Sequence, residues 1–185
     1  MADFKNNVQM LVSKLDSVDE NYDERNTFTD FIRPLFEELG WNFQSDVKLE
    51  RYDNSEANAF EIDGVTRFYL KEFPLSSSME SLKDEITSTV SYAYNKGVTW
   101  VIATNFKEMR VYNTESTGRT LASMQHYSFL ASEYIKKFEN LSDLTKKQFS
   151  LNVLDSDAEY FGKKPKRVSI DKQLLEDLLG YRNIL

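Results

Sequence analysis

The sequence predicts an α/β domain in which helices flank a mixed central sheet. Five runs have the alternating or uniformly apolar pattern of strands, and an amphipathic helical segment separates the first three runs from the last two. The runs are residues 41–49, 57–62, 66–73, 99–104 and 108–112. Asp63-Gly64 between the second and third runs indicates a two-residue hairpin. Strands on both sides of a helix favour a sheet with parallel and antiparallel neighbours.

Apolar residues spaced three and four apart predict helices before and between these strands. One apolar stripe begins at Phe4, and a second begins at Phe28 and ends before Gly40. Pro34 lies inside the second helix, and we expect it to kink that helix because proline lacks the backbone N–H. The helix between the strands has a possible capping box at residues 77–80 and ends before Gly97.

The chain after Asn113 reads as a helical extension. Residues 127–138 and 141–154 have helical patterns, residues 162–167 read as a linker, and a last apolar stripe follows. That stripe consists of Ile170, Leu174, Leu175 and Leu178. The chain ending at Leu185 looks like a junction, so we expect it to be a piece of a longer protein.

Composition narrows the class of protein. A hydrophobic fraction of 41% among 185 residues indicates one globular domain, and the chain has no apolar run long enough to span a membrane. The start of the chain is polar, unlike a signal peptide, and the absence of cysteine excludes disulfides and thiolate zinc sites. These features favour a cytoplasmic protein, and nothing in the sequence indicates a small-molecule substrate.

The net charge of −7 makes the chain a poor autonomous DNA binder, because non-specific affinity comes mostly from Lys and Arg on phosphates. One basic cluster stands out, and it consists of Lys163, Lys164, Lys166 and Arg167. A solvated linker explains this cluster most simply, and a phosphate-binding surface is the alternative.

Four segments in order resemble a known family. They are residues 21–42 (NYDERNTFTDFIRPLFEELGWN), 60–73 (FEIDGVTRFYLKEF), 100–112 (WVIATNFKEMRVY) and 161–182 (FGKKPKRVSIDKQLLEDLLGYR). Together they are similar to the N-terminal PD-(D/E)XK nuclease domain of fused restriction–modification enzymes and of type I restriction R subunits. The resemblance implies a restriction-endonuclease-like fold with a nuclease-like core over residues 1–115 and a helical completion of the same domain over residues 116–160. Residues 161–185 would then lead toward a downstream methyltransferase.

The resemblance also implies positions for a metal-dependent site. In the family, an aspartate and a glutamate of the hairpin hold a divalent ion, and a lysine two residues beyond the glutamate assists the reaction. Carried over to this chain, the aspartate falls on Asn58, the glutamate on Lys71 and the lysine on Phe73. A glutamine of the next helix falls near Ser88, and only Glu24 of the first helix keeps its acidic character. No metal is expected at a site with this composition.

Other side chains give an alternative. A rearranged, Mg²⁺-dependent site would use Glu24, Glu61 or Glu72, although a one-residue slip places Glu72 on the face opposite to Lys71 and Phe73. Asp63 is explained by the hairpin turn. The single histidine, His126, is expected at the surface near the start of a helix.

The sequence therefore predicts a catalytically degenerate endonuclease-like domain. It would be a structural or DNA-positioning module of a restriction–modification or phage-defence protein, binding DNA weakly alone and working with a downstream methyltransferase or a specificity domain or subunit. Two alternatives stay open: an active metal-dependent DNA endonuclease with a rearranged site, and a protein-interaction module on a nuclease scaffold.

Overall fold

Six strands form one mixed sheet in a computed structural model that describes residues 2–18 and 22–164. The strands are β1 (Val47–Tyr52), β2 (Ser55–Ile62), β3 (Val65–Glu72), β4 (Trp100–Thr104), β5 (Glu108–Asn113) and β6 (Gln125–Leu130). They lie in the sheet in chain order. Strands β3 and β4 are parallel, and every other neighbouring pair is antiparallel. The predicted mixed α/β fold is confirmed.

Eight α-helices precede, interrupt and follow the sheet within the described residues. They are α1 (Ala2–Lys14), α2 (Glu24–Thr27), α3 (Arg33–Glu38), α4 (Lys83–Asn95), α5 (Leu121–Met124), α6 (Phe138–Ser142), α7 (Lys146–Ser150) and α8 (Val153–Tyr160). A π-helical turn, Phe28–Ile32, joins α2 to α3, so the backbone stays helical from Glu24 to Glu38. Pro34 lies in the first turn of α3, directly after that wide turn, where its missing N–H is tolerated.

Helices cover both faces of the sheet. Successive side chains of a strand point to opposite sides, so each face carries alternate residues of the strands. The first face, which we call the α3 face, carries Phe60, Phe68, Leu70, Trp100 and Ile102 and packs against α1, α3 and the turn between α2 and α3. The second face, which we call the α4 face, carries Ala57, Ala59, Tyr69, Val101 and Ala103 and packs against α4. Each face holds its own cluster of buried apolar side chains.

The chain after β5 differs from the sequence-based prediction. Residues 127–130 belong to strand β6, which pairs antiparallel with β5, so the helix predicted over 127–138 is wrong. Only a 3-10 turn at Ala131–Glu133 and the first residue of α6 are helical in that range. Tyr127 and Phe129 alternate with Ser128, and a period of two over so few residues is hard to distinguish from a helical pattern. The segment 141–154 divides among α6, α7 and α8 and is not one helix.

Two predictions fall on residues beyond the described part of the chain. The predicted apolar stripe at residues 170–178 and the basic residues Lys166 and Arg167 lie outside the described residues. In the part of the chain that the structure covers, no helix combines the length and the apolar character needed to cross a bilayer.

Candidate functional site

The pairing of β2 with β3 determines which side chains of the hairpin share a face. Asn58 lies opposite Leu70, so Asn58, Leu70 and Glu72 all point to the α3 face. Lys71 and Phe73 point to the α4 face, where Phe73 belongs to the buried cluster. The sequence-based register, which grouped Asn58 with Lys71 and Phe73, is therefore wrong. The acidic residue of β3 that shares a face with Asn58 is Glu72.

A hydrogen bond joins the two side chains that share this position. The Asn58 Nδ2 atom donates to Glu72 Oε1 at 2.8 Å. The Glu72 Oε2 atom is buried and accepts no hydrogen bond within the described residues. Burial raises the pKa of Glu72 to about 7, and the negative charges of Glu24 and Glu56 add to this shift. A hydrogen bond with its own backbone and the charge of Lys71 oppose the rise.

Helix α2 carries Glu24, whose negative charge is close enough to raise the pKa of Glu72. Asp23 caps the helix by accepting the Asn26 backbone N–H at 2.7 Å, so Glu24 occupies its first position. Buried Thr27 accepts the backbone N–H of Leu75 at 2.9 Å, which fixes the helix to the chain segment that follows β3. Glu24 is exposed, and it acts on Glu72 through its charge.

Lys71 is buried on the α4 face, away from the Asn58–Glu72 pair. Its Nζ atom donates to Ser55 Oγ at 3.1 Å and to the Glu56 carbonyl at 3.0 Å, and it lies 5.6 Å from the centre of the Phe73 ring. Neither Lys71 nor Phe73 can contact a group bound at Glu72. Two residues beyond Glu72 stands Pro74, so this position supplies no cation.

The remaining candidate residues of the hairpin and of α4 lie elsewhere. Ser88 is on α4, the helix that packs on the α4 face, and it is not part of the Asn58–Glu72 site. Glu61 forms an ion pair with Lys48 at 2.6 Å. Asp63 has the positive φ of 53° that its predicted place in the hairpin turn requires, as does Gly64 at 76°.

The basic cluster near the end of the described chain is divided by burial. Lys163 is exposed, but Lys164 is buried and forms ion pairs with Asp155 and with Glu115, the latter at 3.4 Å. An ammonium group engaged in this way cannot bind a phosphate. The prediction that Lys164 contacts DNA is therefore wrong. Its carboxylate partners lie on α8 and in the loop after β5, and nothing in the sequence indicates that they approach Lys164.

His126 also differs from its prediction, because its side chain is buried in the sheet. The ring packs against Trp100 and Tyr127, and its Nε2 atom lies 3.0 Å from the Asp157 carboxylate. Burial and the charge of Lys163 lower the pKa of His126, while Asp157 opposes that shift. His126 thus connects β6 to α8, at the end of the sheet opposite to Glu72.

Sequence reasoning identified Asn58 but missed its partner. The two-residue turn at Asp63-Gly64 pairs Ile62 with Val65. An unbroken hairpin with this turn would place Asn58 on the same face as Lys71, as the sequence-based register did. A bulge between Phe60 and Glu61 shifts the register near the turn, and no sequence pattern marked it.

Within residues 2–18 and 22–164, no group of three or more His, Cys, Asp or Glu side chains is arranged to hold a metal ion. Comparisons of the chain with models of protein families, with curated proteins and with solved structures found no match.

Proposed function

We propose that this chain is a restriction-endonuclease-like domain with a degenerate catalytic site, serving as a structural or DNA-positioning module of a cytoplasmic restriction–modification or phage-defence protein. The Asn58–Glu72 hydrogen bond is the observation that carries the proposal. It joins the two hairpin strands at the position where the resemblance calls for two metal-binding carboxylates, and one of the two is an amide. A helix, a three-stranded antiparallel unit, a second helix and a parallel strand lead through this site, which agrees with the resemblance.

The register of β2 against β3 changes which side chains of the family's site are missing under this proposal. The aspartate, glutamate and lysine positions now correspond to Asn58, Glu72 and Pro74, so one carboxylate survives and no cation follows it. Magnesium needs several hard, ionised oxygen ligands. A carboxyl group with a pKa of about 7 is partly protonated at neutral pH and competes poorly for a divalent ion.

The charge distribution supports the structural role over the DNA-positioning role. The chain has a net charge of −7, and Lys164 is neutralised by its carboxylate partners. A domain of this kind would depend on a downstream methyltransferase or specificity domain for contact with DNA.

An active endonuclease with a rearranged site is the second candidate. It is favoured by the charges of Glu24 and Glu72, which are close enough to influence each other, and by the position of Asn58 between β1 and β3. A divalent ion would lower the pKa of Glu72 and draw on the unpartnered Oε2 atom.

A plasmid-nicking assay with Mg²⁺ and with Mn²⁺, run beside calorimetric titration of each metal, distinguishes the two candidates. We expect no nicking above background and no saturable heat of metal binding, because a single partly protonated carboxyl group lacks the required charge. Cleavage by the natural sequence that disappears in both Glu24→Ala and Glu72→Gln, but persists in Glu85→Gln, would establish the active enzyme instead.

A further inference from the structure

The two outer strands of the sheet are protected very differently. At the β6 edge, side chains occupy the outward backbone groups: Glu133 accepts the Leu130 N–H at 3.1 Å, and Lys137 donates to the Ser128 carbonyl at 3.1 Å. At the β1 edge, the hydrogen bonds of the described residues include none from a side chain to the backbone of Val47–Tyr52. An open strand edge is a template for pairing with another strand.

The backbone of β1 has a defined polarity. The Asp46 carbonyl accepts the Glu61 N–H at 2.7 Å and so points toward β2, as the backbone groups of an inward-facing strand residue do, whereas the Asp46 N–H donates to the Asn42 carbonyl at 2.8 Å. Because these groups alternate along an antiparallel strand, the groups of Val47, Leu49 and Arg51 point away from the sheet. The outward groups include those of Leu49, whose side chain is 51% exposed.

From these features we propose that β1 is a self-association surface and that its partner is β1 of a second copy of this chain. The two strands would run antiparallel about a two-fold axis at Leu49, joining two sheets into one. In this register the outward backbone groups of Leu49 meet their own counterparts, and those of Val47 meet those of Arg51.

The charges of β1 favour this register over registers in which the two-fold axis is shifted along the strand. With the axis at Leu49, Lys48 of each copy lies opposite Glu50 of the other, so opposite charges meet twice. An axis at Lys48 would oppose two lysines, and an axis at Glu50 would oppose two glutamates. An axis between two residues would pair outward backbone groups with inward ones, which excludes it.

Each of these side chains already has a partner within its own chain, since Lys48 pairs with Glu61 of β2 and Glu50 reaches Tyr69 of β3. A contact across the two-fold axis would be added to these. The Lys48 side chain is 66% exposed beside Glu61. Glu50 accepts both the Tyr69 and the Tyr92 hydroxyl groups on Oε2, at 2.8 and 2.7 Å, and these bonds hold the carboxylate in place. A single strand pair buries little surface, so the dimer is weak and forms at high protein concentration.

Sedimentation equilibrium of the full chain from low-micromolar to sub-millimolar concentration tests this proposal. We expect a monomer–dimer equilibrium that Leu49→Lys weakens by at least about tenfold, because two ammonium groups would meet at the axis. The matched control is Leu130→Lys, which places the same charge on the other edge strand at an equally exposed leucine (50%) and should dimerise normally.

Several outcomes would overturn the proposal. A chain that stays monomeric over the whole range has no such surface. Dimerisation that Leu49→Lys leaves unchanged, or that Leu130→Lys abolishes, uses another surface. Far-ultraviolet circular dichroism of both variants ensures that loss of association is not loss of fold.

Discussion

The carboxyl group of Glu72 is held by one amide donor in a buried position, with two acidic side chains nearby. Burial raises its pKa from 4.5 to about 7, so the folded protein holds this proton more tightly than the unfolded chain. The resulting stabilisation is present in full below pH 4.5 and is lost as the pH rises through about 7. Above neutral pH, the ionised Glu72 therefore no longer contributes this stabilisation.

Replacing Glu72 by glutamine should remove this dependence. Between pH 5 and pH 8 the free energy of unfolding of Glu72→Gln, relative to the natural sequence, should rise by on the order of 2–3 kcal/mol. Urea denaturation at several pH values measures the change. Glu85→Gln, which alters an exposed carboxylate on α4, should show no such trend. A relative loss of stability for Glu72→Gln at pH 8 would show that the carboxylate is well accommodated.

At the scale of elements, the sequence predicted the strands and turns that short local patterns specify. Asp63-Gly64 identified the hairpin of β2 and β3, and the largely apolar run 99–104 identified the buried strand β4. The register of Asn58 against Glu72 was missed because it depends on pairing across strands and on a bulge, neither of which a single strand records. Strand β6 was missed because Tyr127 and Phe129 fit both the two-residue repeat of a strand and the repeat of a helix.

Helix α8 and the residues that follow it are fixed to the sheet by contacts that the sequence also did not indicate. Lys164 reaches Asp155 on α8 and Glu115 after β5, and the Asn113 side chain donates to the Lys163 carbonyl at 3.2 Å. The pairing of Lys164 with Glu115 joins parts of the chain that are far apart in sequence, so no local pattern indicates it. The segment read as a linker is thus anchored as far as Lys164.

Breaking this anchor should destabilise the domain. Lys164→Met leaves two carboxylates without their buried cation, and we expect a loss of about 3 kcal/mol in the free energy of unfolding. Lys163→Met, one residue earlier and exposed, should leave stability unchanged. Urea denaturation monitored by tryptophan fluorescence compares the two variants. Equal stability of both would mean that the ion pairs do not hold α8.

At the scale of the whole molecule, helices cover both faces of the sheet, and under the proposed function the candidate site lacks the charge pattern of an active nuclease. The aromatic core of the α3 face packs directly beneath the hairpin, with Phe60 and Phe68 stacked 4.5 Å apart. Such a scaffold depends on its core and not on the residues of the site, so it can hold an amide at Asn58 and a proline at Pro74, where the resemblance calls for an aspartate and a lysine.

Restoring the missing side chains tests the central claim most directly. The variant Asn58→Asp with Pro74→Lys rebuilds the family pattern around Glu72, and Asn58→Asp with Lys71→Glu and Phe73→Lys rebuilds it in the other register. In a plasmid-nicking assay with Mg²⁺ or Mn²⁺, on variants shown to be folded, we predict metal-dependent nicking from the first variant alone. Nicking from the second variant alone, or from neither, would contradict a nuclease-like scaffold centred on Asn58 and Glu72.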